Sequence, residues 1–425
     1  MVPRSHRTHI DGDGVRTWTS SPSLASFPRM FLLCFGLLLM IAVLVSQRAD
    51  RTILSTSVIF LAAGFLIGNG GLKLVSVTAG RSVIETFAEL ALFAILFTDG
   101  ARLPVREVIA ASNLPGRALL VGMPLTIGGL ALAAHFILKV TWIDALLLGA
   151  ILSPTDPVFV ESILRRQVVP LRLRRLLSVE SGMNDGLALP LVMVLFVVAN
   201  HGQVHALRTI LDAVLGVPLG VAVAMAFLWL ENLPFLGPTS QYAPLAGVAI
   251  GLVLLGLAHL TGVNEFLAAF SGGITLVTMC PKLAQEFLRL GAPLAEAIKL
   301  ATLLVFGSLL TTQFLMASGI AGLFFAVVAI LMARPLAILL AFINGGLSTK
   351  EWLAAAWFGP KGFASLLYAL LMLQAALPHA RYLFQVVALT ISISIIAHSS
   401  TDVAVAKIFR EEEAKHPSGA VPPAS

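Results

Sequence analysis

The chain has 425 residues, 58% of them hydrophobic and only 12% charged, with a net charge of +6 and a mean hydropathy of +0.93. Soluble domains carry about 25% charged residues, so a soluble enzyme is excluded. In a membrane protein the placement of basic residues says more than their total, and nucleic acid is not needed as a partner.

Residues 1–29 form a polar tail rich in Ser, Arg and His. It lacks the compact apolar core and small-residue cleavage site of a signal peptide. Met30 opens the first apolar run and is an alternative start. From there the sequence shows about 13 continuous apolar runs, each long enough for a bilayer-spanning helix, and none has the short alternation of barrel strands. The expected fold is therefore an all-α membrane protein. The expected spans are 30–47, 53–69, 83–99, 116–138, 143–164, 178–199, 208–230, 242–260, 263–280, 296–316, 319–343, 352–376 and 381–409. Residues 30–410 make the transmembrane domain, and 411–425 a tail too short for a folded regulatory domain. Cys34 and Cys280 lie in separate apolar runs and read as small buried hydrophobes.

An odd number of spans puts the ends on opposite sides, and the positive-inside rule chooses between them. With the N-terminus outside, the cytoplasmic connections hold Arg48, Arg51, Arg102, Arg106, Arg117, Arg165, Arg166, Arg172, Arg174, Arg175, Lys282, Arg289, Lys299 and Lys350, then Lys407, Arg410 and Lys415. That is about 17 basic residues against about 5 in the outer loops and about 4 in the tail, so the C-terminus is expected in the cytoplasm.

Ionisable groups at bilayer depth cost several kcal/mol and mark function when they occur. In the sixth span, Glu180-Ser-Gly-Met-Asn-Asp-Gly186 places Ser181 and Asp185 on one helix face and Glu180 and Asn184 on the neighbouring one. These carboxylate, hydroxyl and amide oxygens are the hard ligands that a small alkali cation prefers. In the fifth span, Ser153-Pro-Thr-Asp-Pro157 sets two prolines around Asp156, which predicts an unwound helix with freed carbonyls beside an acid. In the twelfth, Gly359-Pro-Lys-Gly362 predicts a second break, now carrying a cation. A buried Lys361 needs an anionic partner or must neutralise; the candidate partners are Glu180 and Asp156, with Glu180 favoured. Two broken helices in corresponding halves imply inverted repeats, as in secondary transporters. Asp99, in Phe97-Thr-Asp-Gly100, either joins the site or caps a helix end. Glu265, Arg334, His398 and Asp402 read as interface or span-end residues.

With these motifs in order, the chain resembles the NhaP-type sodium/proton antiporters of the monovalent cation:proton antiporter family, over about residues 30–410. The resemblance implies that Asp185 takes either a cation or a proton. It implies too that Ser181, Thr155 and Asp156 complete the site, Asp156 directly or through water, and that Asp99 contributes. Asn184 would fix the crossing of the broken helices. Glu180 would pair with the basic residue of the Gly-Pro-Arg-Gly motif, which here is Lys361. A homodimer through first-half scaffold helices is likewise implied.

The expected function is exchange of a monovalent cation, Na+ held at Asp185, Ser181 and Thr155, for H+. The exchange is expected to be electroneutral, because Asn184 stands where electrogenic relatives carry a second acid. No cofactor is expected, and the bilayer, the cation and the proton are the partners. A K+/H+ exchanger of the same fold is the nearer alternative. An intramembrane aspartyl protease using Asp156 and Asp185 as a dyad is the remote one.

Overall fold

A computed structural model describes residues 26–49, 56–74, 81–106, 114–156, 169–199, 206–343, 345–374 and 377–415. The polar tail up to residue 25, Pro157, Arg165, Arg166, the side chain of Asp402 and residues 416–425 lie outside the described set. Among the described residues the regular structure is entirely helical.

The helices are α1 (Ser26–Ala49), α2 (Thr56–Ile67), α3 (Arg81–Gly100), α4 (Leu114–Leu138), α5 (Trp142–Leu152), α6 (Leu171–Ala199), α7 (Ala206–Glu231) and α8 (Ala243–Thr261). The second half runs through α9 (Glu265–Met279), α10 (Pro281–Leu309), the short α11 (Thr312–Met316), α12 (Gly319–Ala341), α13 (Thr349–Trp357), α14 (Phe363–Gln374) and α15 (Ala380–Lys415). Seven of the described helices contain a stretch long and apolar enough to cross a bilayer. They are α4, α6, α7, α8, α10, α12 and α15.

Local chemistry sets the helix ends. Thr141 caps α5 by accepting from Asp144 N, Asn264 caps α9, and Ser348 with Glu351 forms a capping box on α13. Long helices α4 and α12 contain wide π turns at Ala118–Gly122, Ala134–Leu138 and Ala329–Ala333, which the apolar sequence tolerates without losing every backbone bond.

Small residues let helices approach where lipid offers no hydrophobic driving force. A Cβ on Gly64 of α2 would run into the Leu304 carbonyl of α10, and one on Gly307 into the Leu61 carbonyl. α2 therefore packs backbone to backbone on α10, while α3 packs on α9 and α9 on α7. α5, α14 and α3 gather around α6, which places the polar stretch 180–186 at the centre of the molecule.

The boundary of the tenth span differs from the sequence expectation. The tenth span begins at Pro281 rather than near 296, so Lys282, Arg289 and Lys299 sit on a 29-residue helix and not in a connection. Lys299 is buried there. An apolar-run reading discards a charged stretch, whereas the backbone continues helical through it because one face stays apolar.

Candidate ion-binding site

α5 stops at Leu152, and Ser153–Asp156 continue without helical bonding, as the two prolines require. The second interruption runs from Phe358 to Gly362, between α13 and α14. The interruptions meet: Asp156 N–H donates to the Pro360 carbonyl at 3.0 Å, and Phe363 N–H donates to Asp156 Oδ2 at 2.9 Å. Asp156 thus caps the N-terminus of α14, where the helix dipole favours an anion. Gly362 permits the approach, since a Cβ there would collide with the Asp156 side chain.

Against this crossing α6 presents its polar residues. Asn184 Nδ2 donates to Thr155 Oγ1 at 2.6 Å and lies 3.4 Å from the Thr155 carbonyl, and Ser181 Oγ is 3.3 Å from Thr155 Oγ1. Thr155, Asp156, Ser181, Asn184, Asp185 and Asp99 are all buried. Two acceptors in this group, Asp185 Oδ1 and Asn184 Oδ1, are buried without any hydrogen-bond donor. Buried acceptors are ordinarily satisfied, so a pair of them side by side in the sequence marks a place for a cation, a proton or water.

Lys299 completes the electrostatics. The charges of Asp99, Asp156, Glu296 and Asp185 all act on it, and it is the buried cation among the acids. Asp99 also reaches Arg102 at 3.5 Å, a pair whose arginine is nearly half exposed. Lys299, counted with the connections in the basic-residue tally although it falls within the expected span 296–316, lies on α10 and is buried.

The expected partner of Glu180 is corrected. Arg334 of α12, read as an interface or span-end residue, donates Nη1 to Glu180 Oε1 at 2.6 Å and Nη2 to Oε2 at 3.0 Å, with both side chains buried. Its Nη2 also donates to the Ala355 and Phe358 carbonyls, holding the end of α13. The planar fork suits a carboxylate in a way a lysine ammonium does not. Lys361 pairs with neither candidate acid through a hydrogen bond: its Nζ is buried and unpartnered, while its backbone N–H donates to Ser394 Oγ at 2.8 Å. An arginine inside the apolar run 319–341 was the available sequence signal.

His398, read as an interface or span-end residue, bridges two elements. Its Nδ1 faces Ser394 and its Nε2 the Trp357 carbonyl at 3.0 Å, so it ties α15 to the second interruption. Tyr368, which the sequence reading did not single out, donates its hydroxyl to the Asp185 carbonyl at 2.6 Å.

Comparison with known proteins now decides the family. The sequence profile of the transmembrane sodium/hydrogen exchangers matches residues 36–407. The chain belongs to the sodium/hydrogen exchanger family. It is a multi-pass membrane transporter that exchanges a monovalent cation for protons, and not an enzyme. Among its relatives, the K(+)/H(+) antiporter NhaP of Alkalimonas amylolytica is 28% identical over 392 residues, which cover 90% of this chain and 67% of that protein. The K(+)/H(+) antiporter NhaP2 of Shewanella sp. strain MR-4 is 26% identical over 389 residues, with the same coverage. The solved structure of the sodium proton antiporter MjNhaP1 from Methanocaldococcus jannaschii matches with a TM-score of 0.72 at 20% identity, over 89% of this chain and 98% of that one. At that identity the exchanger shares the NhaP fold; its ion is a separate question.

Proposed function

We propose that this exchanger moves one monovalent cation against one proton at Asp185, and that Na+ is the cation. The carrying observation is the pair of orphaned buried acceptors, Asp185 Oδ1 and Asn184 Oδ1, on the helix whose Ser181 and Asn184 side chains meet Thr155. A carboxylate in low dielectric is neutralised by a proton or by a cation and is not left bare, so the two compete for one place. If the site reorients only when neutralised, exchange follows from either gradient. Asp156 contributes through water or by its own oxygens, Asp99 lines the approach, and Lys299 balances part of the acid charge.

Exchange is electroneutral in this reading, because Asn184 brings an amide where a second carboxylate would bring a charge. The N-terminus lies outside and the C-terminus in the cytoplasmic compartment, on the bias of basic residues. A homodimer belongs to the same proposal, on family resemblance.

K+ as the cation is the second reading, favoured by relatives named K(+)/H(+) antiporters that align over most of the chain. Ion choice depends on cavity size and ligand number. One experiment separates the readings: proton-flux dequenching in vesicles on addition of Na+, Li+ or K+ across pH, with and without an imposed potential. A response to Na+ with little to K+ supports the first reading and the reverse supports the second. A rate that tracks voltage refutes electroneutrality. Asp185→Asn is expected to abolish exchange in a folded protein; retained cation-driven proton movement overturns the site.

A further inference from the structure

Tyr368 lies on α14, is fully buried, and donates its hydroxyl to the main-chain carbonyl of Asp185 at 2.6 Å. A buried phenol needs an acceptor. Here the acceptor is the backbone of the residue whose carboxylate oxygen lacks a partner.

That backbone is weakly self-supported. In a regular helix the carbonyl of residue 186 accepts from the N–H of residue 190, but residue 190 is proline and has none, so α6 loses a rung one residue beyond Asp185. Gly186 adds backbone freedom at the same turn, and the Phe270 ring fills the space that a side chain would take. Tyr368 adds an outside donor to the Asp185 carbonyl, next to the Gly186 carbonyl that the proline leaves without its helical donor. The same α14 accepts the Asp156 cap at Phe363 N, so a single helix holds both the acid of the first interruption and the carbonyl of Asp185.

We propose that Tyr368 is a positioning residue for cation exchange. Its hydroxyl sets where the Asp185 carboxylate stands relative to Thr155 and Ser181, and links that carboxylate to any movement of α14. The inference rests on the reading that Asp185 takes the ion.

The test is Tyr368→Phe, which keeps the ring and removes the hydroxyl. In vesicles titrated with sodium chloride and separately with potassium chloride, the cation concentration for half-maximal exchange is expected to rise about three- to tenfold, with the maximal rate within about twofold of the parent. The thermal shift produced by the transported cation on the detergent-solubilised protein should weaken in parallel. Leu367→Ala, a buried apolar neighbour on the same helix, provides the control for a merely structural role. It should lower stability and leave the half-maximal concentration unchanged, and it sets the baseline if the Phe variant folds poorly. An unchanged half-maximal concentration in Tyr368→Phe, or one that moves only as far as in Leu367→Ala, overturns the proposal. Asp185→Asn separates the two levels: exchange retained there sinks the ion-site reading itself. Exchange lost there, with Tyr368→Phe matching the parent, sinks only the role of Tyr368.

Discussion

Arg334 and Glu180 form a two-pronged ion pair between α12 and α6, at 2.6 and 3.0 Å, with both side chains buried. Removing one partner of such a pair strands a charge in low dielectric, at a cost of about 3–5 kcal/mol. Glu180→Gln and Arg334→Met are each expected to cut the yield of folded, monodisperse protein and lower its melting temperature. The double variant should recover most of the loss. A double variant no better than the worse single one would mean that the arginine's bonds to Ala355 and Phe358 matter more than the pair.

Lys361 presents the opposite case, a buried ammonium without a hydrogen-bonded partner. Its stem contributes packing, while its charge costs desolvation and feels the opposed charges of Arg334 and Glu180 without a hydrogen bond to either. Lys361→Met should therefore melt no lower than the parent. A fall comparable to that of Arg334→Met would show that Lys361 has an anion to serve.

The charges of Asp99, Asp156 and Asp185 act on the buried Lys299. Without it more than one carboxylate demands neutralisation, and the site holds its cation or proton harder. Lys299→Met is expected to lower maximal exchange at least about tenfold in a folded protein, with a lower half-maximal cation concentration, and Lys299→Arg to restore part of the rate. An unaltered rate would remove Lys299 from the site.

Gly362 is filled by the Asp156 side chain, whereas Gly128 has open space around it. Gly362→Ala should abolish exchange by forcing the two interruptions apart, and Gly128→Ala should leave it intact. Equal activities in vesicle assays would contradict the crossing.

Glu351 precedes the twelfth span and answers Arg172. Burial pushes its carboxyl up, but hydrogen bonds from Arg172 and Ser348 outweigh that and hold it below the usual carboxylate range. A lowered folded-state value means that the charged form stabilises the fold at pH above the ordinary value of about 4.3, and that this help is lost as pH falls below it. Melting temperatures from about pH 5 down to about pH 3 should fall more steeply for the parent than for Glu351→Gln.

Much of this protein is legible in its sequence because lipid imposes local rules. Every spanning backbone must bond within itself, so run length alone announces helices, and proline beside Asp156 or glycine beside Lys361 announces their interruption. The acids Asp99, Asp156 and Asp185 stand out because lipid depth makes each one costly. Pairing is another matter. That Glu180 answers Arg334 and not Lys361, that Lys299 sits among the acids, and that Tyr368 holds the Asp185 carbonyl depend on which faces of distant helices abut. Residues 154 and 183 positions apart are brought to a hydrogen bond's length only by the way α6 meets α12 and α14, and of those contacts Glu180 and Asp185 carry no trace in their own neighbourhoods.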